Sequence, residues 1–164
     1  MTSSVKTIWI SAGDASGDVI AADLIYVIRE RMPSARLIGM GGNEMAAAGL
    51  DRVVDADALA VGGLFELVPS LFRIFATWRR AVRALSACDP DLVILIDSGG
   101  FHLPFARAAK RRTHAPVLYY VAPQVWAWRG GRLPKLAART DRIAVVLPFE
   151  PDFYAARDVT ADFV

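Results

Sequence analysis

The chain has 164 residues, 54% apolar and 22% charged, an apolar share that excludes disorder and is enough for one domain with a real core. Its single cysteine, Cys88, excludes a disulfide framework, and with two distant histidines, His102 and His114, it cannot complete a zinc site. The formal charge is +2, yet residues 1–60 carry five basic and eight acidic side chains while residues 61–164 carry fourteen and nine, a field suited to nucleic acid, anionic lipid or a phosphorylated substrate.

Met1–Lys6 is short and polar and lacks the basic, apolar and cleavage regions of a signal peptide. No run of eighteen apolar residues follows, so the reading is of a cytoplasmic protein without a spanning helix. Thr7–Ile10 is the first β-prone run, and helical spacing of Val19, Ile20, Leu24, Val27 and Ile28 predicts a helix over 16–31, stopped by Pro33. Between them lies Ser11-Ala12-Gly13-Asp14-Ala15-Ser16-Gly17-Asp18. Glycines at a strand-to-helix turn let backbone approach a ligand, and a helix N-terminus offers free N–H donors. The spacing is neither a P-loop nor a dinucleotide fingerprint. Asp14 and Asp18 would oppose a phosphate, so Gly13, Asp14, Ser16, Gly17 and Asp18 suit sugar hydroxyls better. The plainer alternative is that Asp14 or Ser16 only caps the helix.

A second strand is expected over 37–40 and a short helix over 44–48 with Gly49 as its stop. Residues 50–63 read as loop with room for one short strand. From Leu64 to Leu85 a helical wheel gives one narrow polar stripe, Glu66, Ser70, Arg73, Thr77 and Arg80, against an apolar arc much wider than the ~100° that domain packing needs. Pro69 either opens this helix or kinks it. The excess, including Leu67, Leu71, Phe72, Phe75 and Trp78, must meet another chain, another domain or lipid, unless it is buried on both sides. Nearby arginines make insertion at a membrane interface reasonable.

Leu92–Ile96 is the clearest buried strand, and it ends at Asp97-Ser98-Gly99-Gly100. A carboxylate at such a strand end is partly desolvated, which suits a general base. Its competing role is a helix cap, although Ser98 or Gly100 stands nearer the helix expected over 101–112. His102 could orient a substrate or serve as a base, or it could simply pack. After a strand at 117–121 comes Ala-Pro-Gln124-Val-Trp126-Ala-Trp128-Arg129, where stacking rings, an amide and a guanidinium could hold a sugar or an anion, or the rings could belong to the core. A helix over 131–139, a strand over 143–147, a helix over 149–157 and a short strand over 159–164 complete the pattern.

Short apolar strands alternating with helices predict an α/β fold, a doubly wound parallel sheet covered on both faces. The loops 11–18, 97–102 and 122–132 then share the ligand-binding edge.

Together the segments SAGDASGD (11–18), GMGGNEMAAAGL (39–50), VGGLFELVPSL (61–71), LVILIDSGGFHLPFARAAKRR (92–112) and VLYYVAPQVWAWRGGRLPKLAARTDRIAVVLPFEPDFY (117–154) resemble the N-terminal half of the lipid-A-disaccharide synthase family. The family pattern has Glu where Asp14 stands and Pro where Gly99 stands. The resemblance implies a Rossmann-like N-terminal domain of a GT-B-type, inverting glycosyltransferase that needs no metal and no cofactor. Such an enzyme joins UDP-2,3-diacylglucosamine to 2,3-diacylglucosamine 1-phosphate, giving the β-1,6-linked disaccharide of lipid A and UDP. It further implies Asp97 as the base for the acceptor's 6-hydroxyl and the 13–18 loop on the acceptor side. Gln124, Trp126, Arg129 and His102 become substrate-binding candidates. The implied partners are the UDP-sugar donor, the acylated acceptor, the inner-membrane face and a C-terminal donor domain absent from residues 1–164; nucleic acid is not among them. Without that domain little turnover is expected. Two other readings compete: a non-catalytic membrane-surface module, and a Rossmann-type nucleotide binder, the latter weakened by the missing glycine fingerprint.

Overall fold

The structure, a computed structural model, describes residues 6–56, 67–123, 131 and 133–164, with residues 67–70 described by backbone alone. Seven parallel strands form one sheet, β1 (Thr7–Ala12), β2 (Arg36–Gly41), β3 (Asp51–Asp55), β4 (Leu92–Ile96), β5 (Val117–Tyr120), β6 (Arg142–Val145) and β7 (Asp162–Phe163), in the order β3-β2-β1-β4-β5-β6-β7. Six described helices accompany them: α1 (Ala15–Arg31), α2 (Asn43–Ala47), α3 (Leu67–Cys88), α4 (Gly99–Arg112), α5 (Leu133–Ala137) and α6 (Glu150–Ala155).

Strand alternation builds two cores from one sheet. Ile8, Ile10 and Ala12 of β1 with Ile94 and Ile96 of β4 face α1 and α2, meeting Ala21, Ala22, Ile25 and Met45. Trp9, Val93 and Leu95 face the other way, against Val82 and Leu85 of α3, Phe105 and Ala109 of α4 and Leu136 of α5. The expected α/β doubly wound sheet is therefore present. The order in which strands are added reverses between the parallel neighbours β1 and β4: β1 feeds α1 and β2 to one side, and β4 feeds α4 and β5 to the other. A ligand crevice in an open α/β sheet lies at the carboxyl ends of such a pair.

Local differences from the sequence reading have physical causes. On α1, Val19 and Val27 are exposed, Ile20, Leu24 and Ile28 pack at the margin of the core, and the buried positions are Ala21, Ala22 and Ile25, the two alanines letting the helix lie close to the sheet. The weakly patterned stretch after Gly49 contains β3, an edge strand with a single buried residue, Val54, and hence no apolar run to read. Gly49 does end α2, at φ +103, a conformation that favours glycine.

On α3, Thr77 is a correction: it lies in the interior, 8% exposed, rather than on a polar stripe. Pro69 falls in the first turn, where its missing N–H removes no helical bond. The carboxyl half packs inward through Ala81, Val82 and Leu85, while Leu71, Phe72 and Phe75 are 62%, 73% and 58% exposed. Trp78 departs from the expected lipid-facing set, because it is half-buried and packs against the core, its ring stacked on Phe75 at 6.5 Å. The side chain of Leu67 lies outside the described residues, as do Glu66 and Ser70 as side chains. No helix among the described residues is long and apolar enough to cross a membrane.

Candidate active site

The β1–α1 turn follows standard capping chemistry. Asp14 is the N-cap of α1 in extended conformation, and its Oδ1 accepts the Gly17 N–H at 2.8 Å and the Ser16 hydroxyl at 2.8 Å. Gly13 is buried at the start of the turn, and Asp14 and Ser16 are exposed to the crevice side. The Gly17 amide is spent on the cap, so Gly17 serves the turn's shape and not a ligand. Asp18 is likewise a correction to the substrate-binding set. It is 6% exposed, and its carboxylate accepts N–H bonds from Gly42 at 2.7 Å, Glu44 at 3.0 Å and Met45 at 3.3 Å. A buried carboxylate satisfied by three amides at the start of α2 is scaffold, tying the loop after β2 to α1.

The β4–α4 turn is built differently. Asp97 and Ser98 both have φ 45, in the left-handed region, and Ser98, the N-cap of α4, makes no side-chain cap bond. Each such residue costs about 1–3 kcal/mol and persists only where the surroundings hold it. Here they do. The Asp97 carbonyl accepts the Tyr119 hydroxyl at 2.6 Å and the His102 ring at 3.0 Å, and the Asp97 N–H donates to the Tyr120 carbonyl at 3.3 Å. With its main chain held on both sides, Asp97 presents a half-buried carboxylate that forms no ion pair among the described residues. Burial, and then the neighbouring Asp14 charge, hold its pKa above the usual carboxylate range against a hydrogen bond donated by the Ser98 N–H.

His102 does not face a substrate. It is fully buried, with Nε2 2.8 Å from the Ser11 hydroxyl and Nδ1 on the Asp97 carbonyl. A carbonyl only accepts, so Nδ1 carries the proton and Nε2 accepts from Ser11. Burial drives its pKa down to about 4, so the ring is neutral at pH 7. This corrects the expected base or ligand role: His102 is a positioning residue that fixes the Asp97 turn. Ser11 and Tyr119, unremarked in the sequence, complete that clamp; Ser11 lies 91 residues from its partner, and no local pattern signals the pairing. Gln124, Trp126 and Arg129 lie outside the described residues.

The crevice thus brings Asp14 and Asp97 together at the ends of adjacent strands, one carboxylate engaged in a cap and the other available to a proton donor. Among the described residues no group of three His, Cys, Asp or Glu gathers in metal-ligand geometry.

Comparison with known proteins gives one consistent answer. A family model described as lipid-A-disaccharide synthetase matches residues 8–164. Curated relatives named lipid-A-disaccharide synthase include one from Syntrophus aciditrophicus, 44% identical across 97% of this chain and 41% of the relative. Another from Acidobacterium capsulatum is 42% identical across 99% and 40%, and one from Gluconobacter oxydans 43% across 97% and 38%. The chain therefore spans about two-fifths of the length of these relatives.

Proposed function

This chain belongs to the lipid-A-disaccharide synthetase family, and from that premise we propose that it forms the acceptor-side half of an inverting glycosyltransferase. The reaction joins UDP-2,3-diacylglucosamine to 2,3-diacylglucosamine 1-phosphate and releases UDP, at a site completed by a donor-binding domain outside these 164 residues. Asp97 is the general base. Its carboxylate takes the proton of the acceptor's 6-hydroxyl as that oxygen bonds to the donor's anomeric carbon; the bond from that carbon to the UDP oxygen breaks, and the electron pair leaves on UDP. The observation that carries this reading is the half-buried carboxylate at the β1/β4 crevice, which forms no ion pair among the described residues and has a raised affinity for a proton.

Positioning explains the rest of the turn. Tyr119, His102 and Ser11 hold the main chain of Asp97 so that the base is pre-aimed. Asp14, capping α1 beside it, keeps the second oxygen of its carboxylate for an acceptor hydroxyl. By itself the chain turns over little substrate, because an interdomain reaction loses donor orientation when one domain is missing. The decisive assay measures disaccharide formation with the donor-binding half supplied: Asp97→Asn lowers synthesis by orders of magnitude under this reading, and unchanged synthesis removes Asp97 from the mechanism and favours a non-catalytic module.

The exposed Leu71, Phe72 and Phe75 suit a peripheral contact with the inner-membrane face, where acylated substrates reside. Arg79 lies 5.8 Å over the Phe75 ring and adds charge suited to anionic headgroups. Replacing these three apolar residues by serine lowers vesicle sedimentation at both low and high salt, and equal partitioning of variant and parent sinks the contact.

A further inference from the structure

A groove of about 870 Å³ runs from the Asp97 turn along the outer face of α4, between α3 and α5. Among the described residues its cations are Arg107, Arg111, Arg112, Lys135 and Arg139, and none of the described residues that line it is acidic. Among the described residues Arg107, Arg111, Arg112 and Lys135 form no ion pair, and Arg139 is turned to the Leu103 carbonyl at 2.9 Å. Five like charges facing one groove repel one another, a cost that no counter-charge among the described lining residues offsets.

The groove has two chemically distinct zones. Its head is Gly99 and Gly100; a side chain at Gly100 would meet nothing within 4 Å, so the space there is open. Pro104 lies inside α4 and has no N–H to close on the Gly100 carbonyl, which leaves that acceptor without the donor four residues on. Arg107 and Arg111 follow on the same helix face, seven and eleven residues on, hence about 10 Å and 16 Å along the axis at 1.5 Å per residue. Their side chains lean back toward the amino end, which brings Arg107 to within a sugar ring's length of the head. The indole of Trp78 and the side chains of Leu103 and Ala108 make one wall apolar.

We infer that this groove recognises the phosphate of the acceptor: a sugar hydroxyl sits at Gly99–Gly100 beside Asp97, and the anomeric phosphate at the far side of the ring is held by Arg107 and Arg111. The inference rests on the proposed transferase reading and extends it by assigning the group that orients the acceptor. Guanidinium groups bind a phosphate through paired N–H donors, so the arginines set the direction in which the ring enters the crevice.

The test is binding of a soluble short-chain 2,3-diacylglucosamine 1-phosphate and of its dephosphorylated counterpart to the 164-residue chain. The parent is expected to prefer the phosphorylated ligand at least tenfold. The exposed double substitution Arg107→Gln with Arg111→Gln erases that preference and leaves binding of the dephosphorylated ligand intact, whereas a charge-matched control, Arg31→Gln with Arg83→Gln, retains it. A preference that survives the Arg107/Arg111 substitution, or that the control loses equally, overturns the inference. Vesicles with and without phosphatidylglycerol separate the two sources of phosphate: if the double substitution weakens only vesicle capture, the cations serve a lipid surface and the acceptor assignment falls. The same variants with the donor half supplied separate the two readings. Synthesis that survives Asp97→Asn while the phosphate preference depends on Arg107 and Arg111 refutes the transferase base and leaves the groove standing; the converse pattern refutes only the groove.

Discussion

The two edges of the sheet use aspartate in opposite ways. At the amino edge, Asp91 accepts the Thr7 N–H at 2.9 Å and pairs with Lys6 at 2.8 Å, while Asp141 accepts the Val117 N–H at 2.7 Å and pairs with Lys110 at 2.6 Å. Each aspartate stands at the start of one strand and clamps the first amide of its neighbour. The hydrogen bond from Lys6 holds Asp91 below the usual carboxylate range; burial pushes Asp141 up, but Lys110 and the Val117 amide together hold it down. At the carboxyl edge Asp97 pairs with no lysine among the described residues, its pKa is raised, and its backbone is left-handed. One residue type gives a strap at one edge and a proton acceptor at the other, and the difference lies in whether a cation and an amide are supplied.

The largest effect expected from breaking this contrast is at Asp97. Asp97→Asn lowers disaccharide synthesis by on the order of 10²–10⁴-fold in the completed enzyme, the usual contribution of a general base. The same substitution raises thermal stability by a few degrees. Asp97 binds its proton more tightly in the folded state, so its ionisation opposes folding above its ordinary pKa, and asparagine removes that charge while tolerating the left-handed backbone. Differential scanning calorimetry beside the activity assay checks both; a lower melting temperature would show that the carboxylate is structural.

His102 ranks next. His102→Ala removes one buried and one partly buried hydrogen bond and leaves a cavity, a loss of about 3 kcal/mol by denaturant titration. The parent should also show an acid dependence that the variant lacks. The folded ring has its pKa at about 4 against an ordinary 6.5, so unfolded chain binds this proton first. Stability is full above pH 6.5 and falls as pH drops toward 4, by on the order of 3 kcal/mol, partly offset by protonation of Asp97. A flat profile between those values would place His102 in contact with solvent.

How much of this was legible in the sequence follows from what each feature depends on. Leu92–Ile96 reads as a buried strand because both its faces are covered, and a carboxylate just after it has to sit at the crevice; Asp97 needed nothing further. The capping role of Asp14 is equally local. Asp18 was not legible, since its partners are amides 24 to 27 residues on, brought near only when β2 pairs with β1. On α1 the periodicity placed Ile20, Leu24 and Ile28 against the core but also Val19 and Val27, which are exposed; the alanines that meet the sheet, Ala21 and Ala22, are selected by small size and not by hydropathy. The cationic groove was legible only as a basic balance over residues 61–164, because composition does not say which way a side chain turns: Lys110 goes to Asp141 and Arg111 to the groove.

The smallest effect sharpens the comparison from the amino edge. Asp141→Asn keeps an acceptor for the Val117 amide and removes the charge facing Lys110, a partly exposed pair, so the loss is about 0.5–1 kcal/mol at neutral pH. Because the folded carboxylate is held below its ordinary pKa, its contribution is present above pH ~4 and disappears as pH falls through the lowered value. The variant's deficit relative to the parent should therefore shrink in acid, opposite in sense to Asp97→Asn, whose advantage exists only where that carboxylate is ionised. Parallel denaturant titrations of the two variants at pH 7 and pH 3 read the contrast directly: deficits of the same sign at neutral pH would mean that both aspartates are straps and that the crevice holds no available base.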